Sequence, residues 1–177
     1  EFRIGEKYTV IGDIAAGEVS DVFEVVEDGT SNRFALKLLR ENALEDRSIV
    51  AQFRQEAKIG QTLEHPNLVR VYDTLVKVTT LLPVKEPIAF LTMDMFRSQN
   101  IKTFLDGDLV GLQRRLQRLL EQICEALIYL HEKGWIHRDI KPDNLLMNKA
   151  AEARLIDFSL AVRNKKRVRK IQGTRSY

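Results

Sequence analysis

The chain has 177 residues, of which 30% are charged and 44% hydrophobic, and a net charge of +3. That length buries a sizeable core in one or two small domains, and the balance excludes a disordered or fibrous protein. No apolar run is as long as a membrane span, no signal-peptide pattern opens the chain, and a lone cysteine, Cys124, excludes an internal disulfide framework; the expected setting is reducing and cytoplasmic.

The first elements in chain order are strands. Tyr8 to Ile14 and Val22 to Val26 are β-branched and aromatic runs, and Asp28-Gly29 is a turn signal before a third run, Phe34 to Leu39. Ile49, Phe53, Glu56 and Gly60 then recur at helical spacing, which puts them on one face of a helix that His65-Pro66-Asn67 ends. Two more strands are predicted, over Leu68 to Leu75 and Ile88 to Met95. The apolar insert between them, Val76 to Pro87, either covers a sheet edge or offers a docking surface. From Arg97 the pattern turns helical, with Leu112, Leu116, Leu119, Ile123, Leu127 and Leu130 as an apolar stripe opposed by Arg114, Arg118, Gln122 and Glu125. Cys124 lies in this helix and reads as an inert core or boundary residue. The domain boundary is expected near Phe96 to Asn100, giving spans 1–96 and 97–177.

The chemistry concentrates further on. His137-Arg138-Asp139-Ile140-Lys141-Pro142-Asp143-Asn144 is followed, thirteen residues after Asn144, by Asp157-Phe158-Ser159. Two acids, an amide and a lysine at fixed spacing supply an acceptor for a hydroxyl proton, a cation for a moving phosphate, and oxygen ligands for magnesium. A polar turn between two strands is the plain alternative. Upstream, Lys37 sits in Phe34-Ala35-Leu36-Lys37-Leu38-Leu39 with apolar neighbours, so its ammonium must snorkel or find an anion, and Glu56 on the inward helix face is the natural partner. A structural salt bridge is the alternative there. The three histidines (His65, His131, His137) lack metal-site spacing, and no GKS/T phosphate loop is present.

These motifs resemble those of eukaryotic-type serine/threonine protein kinases, most like bacterial members, and the resemblance runs from Tyr8 to Tyr177. It implies an α+β, protein-kinase-like bilobal fold: a five-stranded antiparallel small lobe with one main helix, then the first part of a mostly helical large lobe. It implies Asp139, Lys141, Lys37 and Glu56 as catalytic residues, Asn144 and Asp157 as magnesium ligands, and Thr174 at the acceptor site. Ile14, Ala15, Gly17, Val22, Ala35, Lys37, Met93, Asp94, Phe96 and Leu146 would bind ATP, with Met93 gating the back of the pocket. His137 and Phe158 would pack, and Asp143 would fix the turn. Lys141, two residues after Asp139, and Thr174 point to Ser/Thr rather than Tyr acceptors on protein substrates.

Three departures from the family pattern stand out. In Ala15-Ala16-Gly17-Glu18-Val19-Ser20-Asp21-Val22 only Gly17 remains of three glycines. Ser159 replaces the glycine after Asp-Phe and is expected to rebias a conformational switch. Leu160 to Gly173 contains no Ser, Thr or Tyr, although Arg138 is of the kind that pairs with a phosphorylated loop residue; the usual phospho-switch is absent unless Ser159, Thr174, Ser176 or Tyr177 takes its place. The basic run Arg163, Lys165, Lys166, Arg167, Arg169 and Lys170 would engage an acidic partner, or be a solvated loop; nucleic acid is disfavoured because no aromatic residue interleaves the charges. A pseudokinase or nucleotide-binding scaffold is the rival to catalysis, and a basic adaptor a third reading that leaves the six polar positions unexplained. The ending Gly173-Thr174-Arg175-Ser176-Tyr177 would lie within the activation segment, so the chain by itself is expected to be unstable or prone to associate and to transfer phosphate weakly or not at all.

Overall fold

The computed structural model describes residues 2–78 and 86–164, and these divide into two compact units. Thr174, the basic run beyond Asn164 and the centre of the apolar insert lie outside the described residues.

The first unit comprises residues 1–61 and 71–96. Strands β1 (Arg3–Ile4), β2 (Tyr8–Ala16), β3 (Ser20–Glu27), β4 (Arg33–Leu39), β5 (Val71–Lys77) and β6 (Ile88–Asp94) form one antiparallel sheet in the order β1-β2-β3-β4-β6-β5. The sheet thus has six strands, not five. The extra one, β1, is a two-residue strand whose Ile4 is buried, and it turns through Gly5 at φ +62°. Alternation along the strands gives each face its own core. One face gathers Ile4, Tyr8, Val25, Leu36 and Phe90, with Tyr8 edge-on to both Phe34 and Phe90. The other packs Leu39, Val71, Ala89 and Leu91 against the short helix α1 (Glu41–Leu44) and helix α2 (Arg47–Gly60), through Ala43, Leu44, Val50, Phe53 and Ala57. Val78, at the start of the insert, is buried in this same core, a covering role for that end.

The second unit comprises residues 62–70 and 97–177. Its framework is β7 (Gln99–Asn100), α3 (Ile101–Gly107) and α4 (Leu109–Glu132), then β8 (Trp135–Ile136), β9 (Leu145–Met147), β10 (Ala153–Leu155) and β11 (Val162–Arg163). Asp108 caps α4 by accepting from the Gly111 amide at 2.9 Å, and Asn100 caps α3 in the same way from Thr103. Sheets β10-β9-β7 and β11-β8 frame the loops that carry the polar motif.

Residue grouping, one strand start and the α4 stripe differ from expectation. The span 1–96 is interrupted, because residues 62–70 belong to the second unit. Leu68 bridges Leu155, the Asn67 carbonyl accepts from the Leu155 amide, and the Asn67 side-chain amide donates to Gln122 on α4 and to the Ala153 carbonyl. Only Val71 onward joins the first sheet, so the strand predicted from Leu68 begins three residues late. On α4 the buried line is Leu112, Leu119, Ile123, Ala126 and Leu130, whereas Leu116 is 43% exposed and Cys124 is exposed.

Candidate active site

In the first unit the strand register assembles the site. Ala15 opposes Val22, Val22 opposes Lys37, Lys37 opposes Leu91, and Ala35 opposes Met93. Directly opposed residues share a face of a sheet, as do residues two apart on one strand. Ala15, Val22, Ala35, Lys37 and Met93 therefore lie on the face that packs against α2. Asp46 starts that helix by accepting from the amides of Ser48 and Ile49, which sets the phase that turns Glu56 inward. Lys37 Nζ donates to Glu56 Oε1 at 2.9 Å and to Oε2 at 2.7 Å, with the side chains only 17% and 8% exposed. An ammonium bonded to both oxygens of one carboxylate at that depth offsets much of the desolvation that either group alone would suffer.

In the β2–β3 turn one position requires glycine. The Gly17 amide donates to the Ser20 carbonyl at 2.9 Å, and a Cβ on residue 17 would stand 2.8 Å from that oxygen. Only glycine fits that approach. Ala15, just past a register shift after Asp13, and Ser20 pair with Val22 and Leu39 and are not among the positive-φ residues, so neither position needs glycine. The turn is further held by the Arg40 amide on the Val19 carbonyl and by a two-point Arg40–Asp21 ion pair, which draws the Asp21 carboxyl below its usual range. Ile14 is 45% exposed on β2, and Asp94 accepts from the Tyr72 hydroxyl at 2.6 Å.

In the second unit the polar motif follows β8. Arg138 adopts φ 73°, a left-handed turn that reverses the chain into Asp139. A 3₁₀ turn, Pro142–Asn144, then brings the amide back: Asn144 Nδ2 donates to the Asp139 carbonyl at 2.8 Å and to Asp139 Oδ2 at 3.0 Å. Lys141 Nζ reaches the same Oδ2 at 3.1 Å. The Asn144 nitrogen is thereby occupied, and its Oδ1 is the atom left to coordinate a cation. Leu146, one of the expected adenine contacts, lies on β9 opposite Asn100.

His137 joins two chain segments, more than the packing role expected of it. Its Nδ1 accepts from the Asp139 amide, which leaves the proton on Nε2 to be donated to the Ile156 carbonyl at 3.0 Å. Burial holds the imidazole below its ordinary pKa and so neutral, and its ring meets Phe158 edge-on. No spacing rule signals such a link; only the three-dimensional fold brings Ile156 beside the ring. Asp157 itself has φ 67°, and its Oδ1 accepts from the Ser159 amide. Ser159 is not among the positive-φ residues, so serine in place of glycine carries no left-handed backbone cost in this conformation.

Residues 8–177 match the protein kinase domain. The chain belongs to the protein kinase family. Among curated relatives it is 26% identical over 159 residues to serine/threonine-protein kinase PrkC of Bacillus subtilis, covering 90% of this chain and 23% of that protein. It is 30% identical to serine/threonine-protein kinase PknD of Chlamydia pneumoniae (89% of this chain, 17% of the relative) and 30% identical to serine/threonine-protein kinase pkn3 of Myxococcus xanthus (89% and 28%). The chain thus spans about a quarter or less of the length of most of these relatives. The kinase match takes in both polar groups, from Lys37 to Asn144, and Asp157 beyond them. No described helix is long and apolar enough to cross a membrane.

Proposed function

We propose that the protein carrying this chain is a serine/threonine kinase that moves the γ-phosphate of Mg-ATP to Ser and Thr hydroxyls of protein substrates. The observation that carries the reading is Asp139 Oδ2 in contact with both Lys141 and Asn144. That contact puts a proton acceptor, a cation and a metal-competent oxygen together in one loop. The names of the curated relatives agree with it, and Lys141 favours Ser/Thr acceptors.

Each residue has a distinct task in this reading. The Asp139 carboxylate orients the acceptor hydroxyl and takes its proton, a contribution of about 10²–10⁴ in rate. Lys141 sets positive charge beside it. Lys37, fixed by Glu56, binds the α- and β-phosphates. Val22, Ala35 and Met93 would face adenine from the first unit, with the Asp94 and Phe96 backbones at its edge and Ile14, Ala15 and Gly17 bordering the nucleotide. Leu146 and Thr174 keep the roles that the resemblance implies. Asn144 Oδ1 and the Asp157 carboxylate are hard oxygen donors suited to Mg²⁺. Among the described residues no three His, Cys, Asp or Glu side chains could cage a metal by themselves, so these two suit an ion that takes its other ligands from phosphate and water. When bound, the ion neutralises phosphate charge.

We place this activity in the cytoplasm on the strength of the lone thiol, and assign an acidic partner to the basic run on charge alone. The decisive assay follows γ-phosphate transfer from Mg-ATP to Ser/Thr peptides by the complete gene product, beside Asp139→Asn. Transfer that the substitution abolishes is the expected result. Intact nucleotide binding without transfer by the unaltered protein would transfer the reading to a pseudokinase scaffold.

A further inference from the structure

Residues 159–164, which follow Asp157, are held by their own backbone and side-chain contacts. Leu160 to Gly173 offers no hydroxyl to phosphorylate. Yet the path from Asp157 is secured at successive steps. The Ser159 amide donates to Asp157 Oδ1 at 3.0 Å, the Ala161 amide to the Phe158 carbonyl at 3.0 Å, and both Phe158 and Ala161 are buried. Val162 and Arg163 then pair with Ile136 and Trp135 as β11 on β8, and the Asn164 amide donates to the Gly134 carbonyl at 3.0 Å.

Arg163 closes this path. Its guanidinium carbon lies 4.0 Å from the centre of the Trp135 ring, a cation–π stack. Its Nη1 donates to the Lys133 carbonyl at 3.1 Å, and Lys133 is the C-cap of α4. The carbonyls ending a 24-residue helix are short of partners and carry the negative end of its dipole, so a planar cation there satisfies an oxygen and a field together. Gly134, at φ +78°, makes the tight turn; a Cβ there would already be 3.5 Å from Arg163 Nη1.

We infer that Arg163 is a positioning residue for Asp157: stacked on Trp135 at the C-terminal end of α4, it docks the segment that follows the metal-binding acid, with no phosphate required. The inference rests on the kinase reading for the role of Asp157, though the dock itself does not. An Arg163 that merely stabilised the end of α4 would affect melting alone.

The test compares the unaltered protein, treated with phosphatase, with Arg163→Ala, Arg163→Lys, Trp135→Ala and Trp135→Phe. Amide hydrogen exchange at residues 162–164 and the emission of Trp135, the single tryptophan of the chain, read the dock. Calorimetric ADP binding at graded Mg²⁺ concentrations reads the placement of Asp157. The expected result is faster exchange and altered Trp emission in Arg163→Ala, with the half-saturating Mg²⁺ raised about two- to fivefold. In exchange and in Mg²⁺ dependence, where no tryptophan emission is needed, Trp135→Ala should match Arg163→Ala, and Trp135→Phe, which keeps a ring face, should recover most of the loss. Lysine keeps the charge but not the planar fork, and should fall between. A lowered melting temperature with unchanged Mg²⁺ dependence would overturn the inference, as would unprotected 162–164 amides in the phosphatase-treated protein. Failure of the unaltered protein to bind ADP at any Mg²⁺ concentration would instead overturn the kinase reading.

Discussion

The two polar groups of this chain are built by opposite means. In the first unit, Lys37 and Glu56 meet because a strand and a helix, each with a regular repeat, turn one residue inward and bury both. In the second, Asp139, Lys141 and Asn144 meet because irregular backbone folds back on itself through Arg138 at φ 73° and a 3₁₀ turn. The first arrangement draws its precision from packing, the second from hydrogen bonds among the loop's own residues. Substitutions in the first should therefore damage stability and function together, and substitutions in the second function alone.

Asp139→Asn is the sharpest separation. It preserves shape and should lower phosphate transfer by about 10²–10⁴, roughly 3–5 kcal/mol in the barrier, while the melting temperature barely changes. Lys37→Met should break the comparison from the other side, leaving Glu56 buried without its cation; urea unfolding should show a loss of up to about 3 kcal/mol. Adding Glu56→Leu to Lys37→Met should restore much of that stability and none of the activity, because an apolar pair of similar volume fills the space but binds no phosphate. Gly17→Ala should cost about 1–2 kcal/mol through the 2.8 Å approach to the Ser20 carbonyl, and raise KM for ATP more than it lowers kcat.

The smallest effect concerns pH. His137 is held neutral when folded and is free to protonate when unfolded, so the unfolded chain binds more protons below the ordinary imidazole range. Its contribution to stability is present above about pH 6.5 and is lost as the pH falls toward the depressed folded value. Melting temperatures measured from about pH 7 down to about pH 5 should decline, and His137→Phe, less stable throughout, should show a shallower slope.

What was legible in the sequence follows the same division. Repeat spacing alone placed Glu56 inward and Lys37 among apolar neighbours, because helix and strand periods are local properties. The Asp139 to Asn144 loop has no period, and was legible only as a motif. Neither route reached β1, a two-residue strand too short to show alternation. Residues 62–70 were misplaced because an apolar run reads as strand whatever it pairs with, and the partner, Leu155, lies far along the chain. Leu116 and Leu119 carry equal weight in an apolar stripe, yet one is exposed and the other buried; spacing gives the stripe but not which edge of it a neighbour covers. The motif identifies Ser159 by residue type alone, whereas any backbone cost depends on φ, and here the left-handed residue is Asp157.

The strap of residues 62–70 also sets an order of events for a chain leaving the ribosome. Once Asp94 has emerged, every strand of the first sheet is available. The strap, made before β5 and β6, has to wait for Gln122 and then for Ala153 and Leu155 before its Asn67 finds partners. Until then a buried-type asparagine and two apolar neighbours, Leu68 and Val69, are left to solvent or to chaperones, in the middle of an otherwise finished half. Cutting the gene after residue 96 would make that waiting state permanent, so a first unit produced alone should be cleaner with residues 62–70 replaced by a short polar linker.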